Sequence, residues 1–163
     1  MYYPQPFPVL FWNGLLKHPE LVAKKLSKLG YKIISLSTSK PKITRKIRGV
    51  KYITCDVTKK KIINSKLKEN FDYVINLSGY IDHSNKIKTL KSHYEGCKNL
   101  ADFFLRRKIK LFIQIGSSLE YGNKNSPQHE TFPCRPRSYY GLAKLKATKY
   151  LFKLGKKFNF PFI

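Results

Sequence analysis

The sequence predicts an α/β fold: a doubly wound parallel sheet with helices on both faces. Three observations carry this. Short runs rich in β-branched and aromatic residues alternate with stretches whose apolar residues recur every three or four positions. Two of the runs, 71–77 (FDYVINL) and 111–115 (LFIQI), are apolar almost throughout, as strands covered on both faces are. Polar, glycine-bearing segments follow these two runs directly, and ligands bind beyond the carboxyl ends of the strands in such sheets.

The elements follow in order. Residues 9–12 (VLFW) form a short apolar strand. His18-Pro19-Glu20 reads as a helix start, with proline in the first turn and an acid beside the positive end of the helix. Leu21, Val22, Leu26 and Leu29 supply the apolar stripe, and Gly30 is a natural stop. Strands are expected at 31–36 (YKIISL), 50–54 (VKYIT) and 71–77. Ile87, Leu90, Tyr94, Cys97, Ala101 and Phe104 then mark a helix by their spacing. The strand 111–115 follows. Residues 122–137 are polar and carry Pro127, Pro133 and Pro136, so they read as a loop. The last helix is expected from about Tyr140 to Leu154, with Gly155 as its stop, and 160–163 begins another strand. This rhythm is that of a parallel sheet with right-handed crossovers. No repeat or linker divides the 163 residues, so one domain over 1–163 is expected.

Composition narrows the function classes. With 42% hydrophobic and 14% aromatic residues the chain is globular rather than disordered. No run approaches the roughly 20 apolar residues of a membrane helix. The opening MYYPQPFPVLFWNGLL lacks a basic flank and is broken by Pro4, Pro6 and Pro8, which argues against a signal peptide. Cys55, Cys97 and Cys134 are odd in number and widely separated, which supports neither a metal site nor a disulfide framework and fits a reducing, cytoplasmic setting. The formal net charge of +24 raises the question of nucleic acid. The lysines are spread along the chain, arginines are few, and no nucleic-acid-reading signature occurs, so no specific nucleic-acid partner is expected.

The stretch SYYGLAKLKATKYL, residues 138–151, sets Tyr140 and Lys144 four apart on a helix. The pattern alone carries little. With 11 tyrosines and about one residue in six a lysine, Tyr-x-x-x-Lys should occur about twice by accident, and it does, at Tyr94/Lys98 and Tyr140/Lys144. Topology separates the two. Tyr94/Lys98 lies mid-helix on a packing stripe. Tyr140 starts a helix and converges on the edge where 78–80 (SGY) and 116–122 (GSSLEYG) follow their strands.

Six segments in this order resemble the extended short-chain dehydrogenase/reductase superfamily, the NAD-dependent epimerase/dehydratase group acting on nucleotide sugars. They are LGYKIISLST, YITCDVTKK, FDYVINLSG, YEGCKNLADFF, IQIGSSLEYG and HETFPCRPRSYYGLAKL, spanning about residues 20–163. The resemblance implies a Rossmann-like NAD(P)-binding domain. It assigns Ser117, Tyr140 and Lys144 as catalytic. It assigns Gly14, Asp56, Val57, Ser78, Gly79, Tyr140 and Lys144 to the cofactor, with Asp56 near the adenine. The chemistry fits. A free tyrosine titrates near 10, and an ammonium about one helical turn away favours the phenolate. In the family the tyrosine removes a hydroxyl proton, the lysine also holds the nicotinamide ribose, and the serine orients the hydroxyl. A nucleotide-sugar substrate, NAD or NADP, and a homodimer all lie within what the family implies.

Departures from the pattern are informative. Ser118 and Leu119 stand where the family's dehydratases carry an acid pair, which favours an epimerase or reductase. His93 replaces an asparagine. In the phosphate-binding glycine fingerprint, the three places hold Asn13, Leu16 and Pro19, or with a slipped register Gly14 supplies one glycine. Residues 1–19 are therefore atypical. The strand 31–36 lacks the acid that would hold a ribose 2′-hydroxyl, and Ser37, Thr38 and Lys40 follow it, which leans towards NADP or towards no preference between the two. The family's C-terminal substrate lobe has no counterpart in the sequence. Two alternatives stay open: a Rossmann-like binding module without catalysis, and a basic nucleic-acid-associated protein.

Overall fold

The computed structural model describes residues 8–13 and 19–163. Five parallel strands lie in the order β3-β2-β1-β4-β5. They are β1 (Pro8–Asn13), β2 (Lys32–Ser37), β3 (Val50–Thr54), β4 (Tyr73–Leu77) and β5 (Leu111–Gln114). The order reverses at β1, whose neighbours are β2 and β4. That reversal marks the doubly wound sheet expected from the sequence; in such sheets ligands bind beyond the carboxyl ends of the strands at the switch point, here β1 and β4.

Helices cover both faces. α1 (Glu20–Lys28) buries Ala23 against Ile33 and Leu77 on one face. Gly30 follows with φ of 85°, a left-handed conformation that suits glycine and ends the helix as expected. The other face is larger and joins α2 (Lys60–Lys66), α4 (Gly96–Leu105) and α5 (Tyr139–Phe158) over Ile34, Leu36, Val74 and Phe112. β2 and β4 thus present buried residues to both layers, which explains their apolar runs.

Four details differ from the sequence reading. α2 was not expected, because KKIINSK offers only Ile62 and Ile63 as apolar residues amid lysines. The helix marked by Ile87 to Phe104 is built of three parts: α3 (Lys86–Leu90), a π turn over Lys91–Glu95, and α4. The extra residue of the π turn rotates the stripe, so Ile87 is 68% exposed while Thr89 and His93 are buried. α5 does not stop at Gly155. It continues to Phe158, and Asn159 caps it in the left-handed region with φ of 52°. Gly155 serves packing instead: a Cβ there would lie 2.8 Å from the Phe162 ring. Finally, 160–163 joins the sheet through one parallel bridge, Phe112 to Phe162, beside β5. No helix among the described residues is long and apolar enough to cross a membrane.

Candidate active site

The segments after β4 and β5 meet the first turn of α5 at the carboxyl edge of the sheet. Asn76, fully buried near the end of β4, ties the two strands there. Its amide donates to Gln114 Oε1 at 2.7 Å, and its Oδ1 accepts from the Ser78 N–H at 3.1 Å. Ser78 is itself buried. Gly79 lies in the loop that follows, and Tyr80 is held by His93: Nε2 lies 3.2 Å from both the N–H and the carbonyl oxygen of Tyr80.

Ser117 follows β5 and caps a 3-10 turn, Ser118–Glu120. Its Oγ accepts from the Leu119 N–H at 3.3 Å, and its own N–H donates to Glu120 Oε1 at 2.8 Å, a reciprocal capping box. The other carboxylate oxygen of Glu120 accepts from the Thr148 hydroxyl of α5 at 2.9 Å. A buried acid thereby fixes the Ser117 turn and α5 together. Gly141 completes the fit, since a Cβ there would lie 2.4 Å from the Leu119 carbonyl oxygen. The turn can abut the helix only because residue 141 has no side chain.

Ser138 caps α5, accepting from the Gly141 N–H at 3.0 Å. Tyr140 and Lys144 then share one side of the helix, with the Lys144 Nζ 5.8 Å from the centre of the Tyr140 ring. Lys144 is 1% exposed and donates to the Ile115 carbonyl at 2.6 Å. Burial lowers its pKa from the usual lysine value, opposed by Cys97 and Glu120 nearby. Tyr140 is half-buried between two imidazoles. His83 stacks on its ring at 4.2 Å between centres, and His93 meets it edge-on at 4.8 Å. His93 is 1% exposed; burial first, then Lys144, pushes its pKa down to about 4.

The other residues expected to bind cofactor lie elsewhere along the edge. Asp56, just past β3, closes a local turn: its Oδ1 accepts from the N–H and hydroxyl of Thr58 at 3.0 and 2.8 Å. Val57 is buried against Gly96, and its carbonyl accepts from Asn99. Gly14 lies outside the described residues, as does Leu16. Among the described residues no group of three or more His, Cys, Asp or Glu could hold a metal.

The sequence reading set His93 aside and did not consider His83 or Glu120. The S-x-x-E pattern of Ser117 to Glu120 is a readable capping signal. Nothing local marks the histidines, whose placement depends on the π turn and the loop before it.

The sheet order and the convergence of these segments define the class: a Rossmann-like α/β domain. The chain belongs to the NAD-dependent epimerase/dehydratase family, whose sequence profile matches residues 20–163. Solved structures agree in fold. The UDP-glucose 4-epimerase of Thermotoga maritima, determined with UDP-glucose, shares 20% identity with a TM-score of 0.81 over 95% of this chain and 53% of its own. The UDP-N-acetylglucosamine 4-epimerase of Methanobrevibacter ruminantium, in complex with UDP-N-acetylmuramic acid, shares 19% with a TM-score of 0.82 over 98% and 54%. The UDP-glucose 4-epimerase of Thermus thermophilus, complexed with NAD, shares 19% with a TM-score of 0.83 over 95% and 53%. The chain thus spans about half the length of these enzymes. No curated protein sequence matches it.

Proposed function

We propose that this chain is the NAD(P)-binding half of a nucleotide-sugar epimerase or reductase, with Ser117, Tyr140 and Lys144 as its catalytic residues. The observation that carries the reading is the buried Lys144 ammonium, anchored to the Ile115 carbonyl on the same side of α5 as Tyr140. A lysine is rarely buried without a task. One of its three N–H bonds is used by Ile115, which leaves two for the ribose hydroxyls of a bound dinucleotide.

The nicotinamide end suits a dinucleotide. The buried Ser78 hydroxyl has no partner among the described residues at the carboxyl end of β4, where a polar ligand group could meet it. Asp56 and Val57 would stand at the adenine, and a bound nicotinamide would supply the hydride acceptor. Ser117 spends a lone pair on the Leu119 N–H and keeps its O–H proton for a sugar oxygen. Tyr140 takes the proton of the reacting sugar hydroxyl, and Lys144 favours the charge left on the phenol. The pyrophosphate end suits the dinucleotide less well. Pro19 at the start of α1 has no N–H to offer, and Glu20 puts an acid in the first turn. That observation favours the second reading, a binding module that has lost catalysis.

Saturation-transfer NMR with NADH and NADPH tests the first reading without needing turnover. Lys144→Ala should weaken binding at least tenfold, and Tyr140→Phe should leave it within about twofold, with both variants folded by circular dichroism. Equal effects of the two substitutions would overturn the assignment.

A further inference from the structure

The outer face of α5 is a stripe of lysine. Lys146, Lys149, Lys153, Lys156 and Lys157 are all exposed. On a helix of about 3.6 residues per turn they fall within roughly 100° of the circumference and span about 16 Å of the axis. Nothing on the helix neutralises them. α5 carries no Asp or Glu, and the sequence holds no acid after Glu130. None of the five lysines has an ion-pair partner among the described residues. Like charges four apart, as at Lys149/Lys153 and Lys153/Lys157, weaken a helix slightly. The stripe therefore adds nothing to the stability of α5.

Exposed rings stand beside these charges. Phe152 is 55% exposed, and Phe162 holds its ring edge-on at 5.1 Å between centres. Lys149, Lys153, Lys156 and Lys157 surround it in one shallow depression. Phe158, 51% exposed, ends the helix, with the Lys157 ammonium 5.1 Å from the centre of its ring. Lysine stems are apolar and their heads are charged, so lysines around exposed aromatic rings suit a boundary where charge gives way to hydrocarbon.

The charge also selects among occupants. A second copy of this chain does not suit the face, because a two-fold contact would set one lysine stripe against another. A nucleic acid strand is matched in charge only. α5 has no arginine to fork a phosphate, and its rings lie on the ridge of a helix, not in a groove that follows a strand. An anionic bilayer needs neither. Its surface potential attracts each lysine separately, and its headgroup layer admits single rings.

We infer that the outer face of α5 docks on anionic phospholipid bilayers, with the lysine stripe against the headgroups and Phe152 entering between them. Tyr140 and Lys144 lie on the opposite side of α5, so the docked face is not the one that carries the candidate site. The surface stands independently of the cofactor reading above.

Cosedimentation of the whole chain with vesicles tests this. One set is phosphatidylcholine alone, and the other holds about one third phosphatidylglycerol, both at about 0.15 M salt. Binding to the anionic vesicles should be tighter by about tenfold or more. At about fivefold per lysine, K149A/K153A/K156A should lose roughly 100-fold. K24A/K25A/K28A removes the same charge from exposed positions of α1, in the other helical layer, and should bind within about threefold of the parent. F152A should weaken binding severalfold with its salt dependence unchanged. Circular dichroism of each variant should match the parent.

Equal binding to the two kinds of vesicle overturns the inference. Equal losses in the two triple variants overturn it as general attraction of a basic chain. F152A binding like the parent overturns it as adsorption without entry. A single-stranded RNA oligonucleotide that binds through the stripe, while anionic vesicles do not, overturns it in favour of nucleic acid.

Discussion

The rings of His93 and Tyr140 meet edge to face, with their centres 4.8 Å apart. One imidazole thus supports the candidate catalytic tyrosine and, through Nε2, the Tyr80 backbone after β4. The π turn that holds His93 makes this reach possible: without its extra residue, the side chain would face another direction.

Acid should act on this contact. The folded pKa of His93, about 4, lies below the ordinary value of 6.5, so between these pH values the unfolded chain binds the extra proton. Stability from this group is complete above about pH 6.5 and is lost as pH falls towards 4. Full loss is on the order of 3 kcal/mol. Urea denaturation at pH 7 and pH 5 should show the fall, and His93→Asn should flatten it. Imidazole NMR is practical, since the chain has only four histidines. A His93 resonance that titrates near 6.5 in the folded protein would contradict the buried, neutral state.

Glu120 joins the Ser117 turn to α5 through one carboxylate, so its removal should cost more than an ordinary surface change. Glu120→Ala strands the Ser117 N–H and the Thr148 hydroxyl together. The expected loss is about 1–3 kcal/mol, and Glu120→Gln should recover part of it because the amide oxygen still accepts. Chemical denaturation of both variants measures this. A Glu120→Ala midpoint equal to that of the parent would show that the carboxylate does not hold the two elements.

The strands and the sheet class were legible because burial on two faces leaves near-continuous apolar runs such as FDYVINL and LFIQI. The Tyr140 and Lys144 pair was legible only through topology, since the identical spacing at Tyr94 and Lys98 belongs to a packed helix. What escaped has tertiary causes. α2 is short and lysine-rich, and Ile63 shows its burial only against the other helices. Gly155 looks like a helix stop, but its missing side chain makes room for Phe162. His83 and His93 come together through a π turn and a loop, and neither has a periodic signature. Gly14, the one glycine offered for the phosphate turn, lies outside the described residues.

Gly141 gives a sharp test of the packing around Tyr140. In an exposed helix, glycine to alanine is worth roughly 1 kcal/mol in favour of alanine. Here the added Cβ would meet the Leu119 backbone oxygen at 2.4 Å, and backbone cannot swing aside. Gly141→Ala should therefore destabilise by about 1–3 kcal/mol, with the sign reversed from the helix rule. A melting temperature above that of the parent would mean that the Ser117 turn does not press on α5.

The distribution of positive charge bears on the nucleic-acid alternative. Lysines sit on α1, α2 and α5, on different sides of the sheet; the densest group, Lys149, Lys153, Lys156 and Lys157 around Phe152, lies along one stretch of α5 and belongs to no base-reading motif. Binding to DNA should then be weak, independent of sequence, and steeply reduced by salt, because it rests on counterion release alone. Gel shifts with several unrelated duplexes at 50 and 200 mM salt should show loss across that range for all of them alike. Nanomolar binding to one sequence at physiological salt would show a recognition surface that the fold does not display.

The chain's own competence follows from the two unlike ends of its site. The proposed nicotinamide end has a buried lysine, a capping serine and a supported tyrosine. At the other end, α1 begins with Pro19, which has no N–H for a pyrophosphate, and with Glu20, whose carboxylate competes for the positive helix end. Orientation of a sugar against the nicotinamide also needs walls, and the chain covers about half of the epimerases it resembles. Dinucleotide binding by this chain alone should therefore be weak, with dissociation constants above the micromolar range, and UDP-sugar epimerisation should be undetectable. Calorimetry with both cofactors and a coupled assay on UDP-glucose and UDP-galactose measure the two quantities. Micromolar binding accompanied by turnover would show that the residues ahead of α1 form a working phosphate cradle with Gly14 as their single glycine.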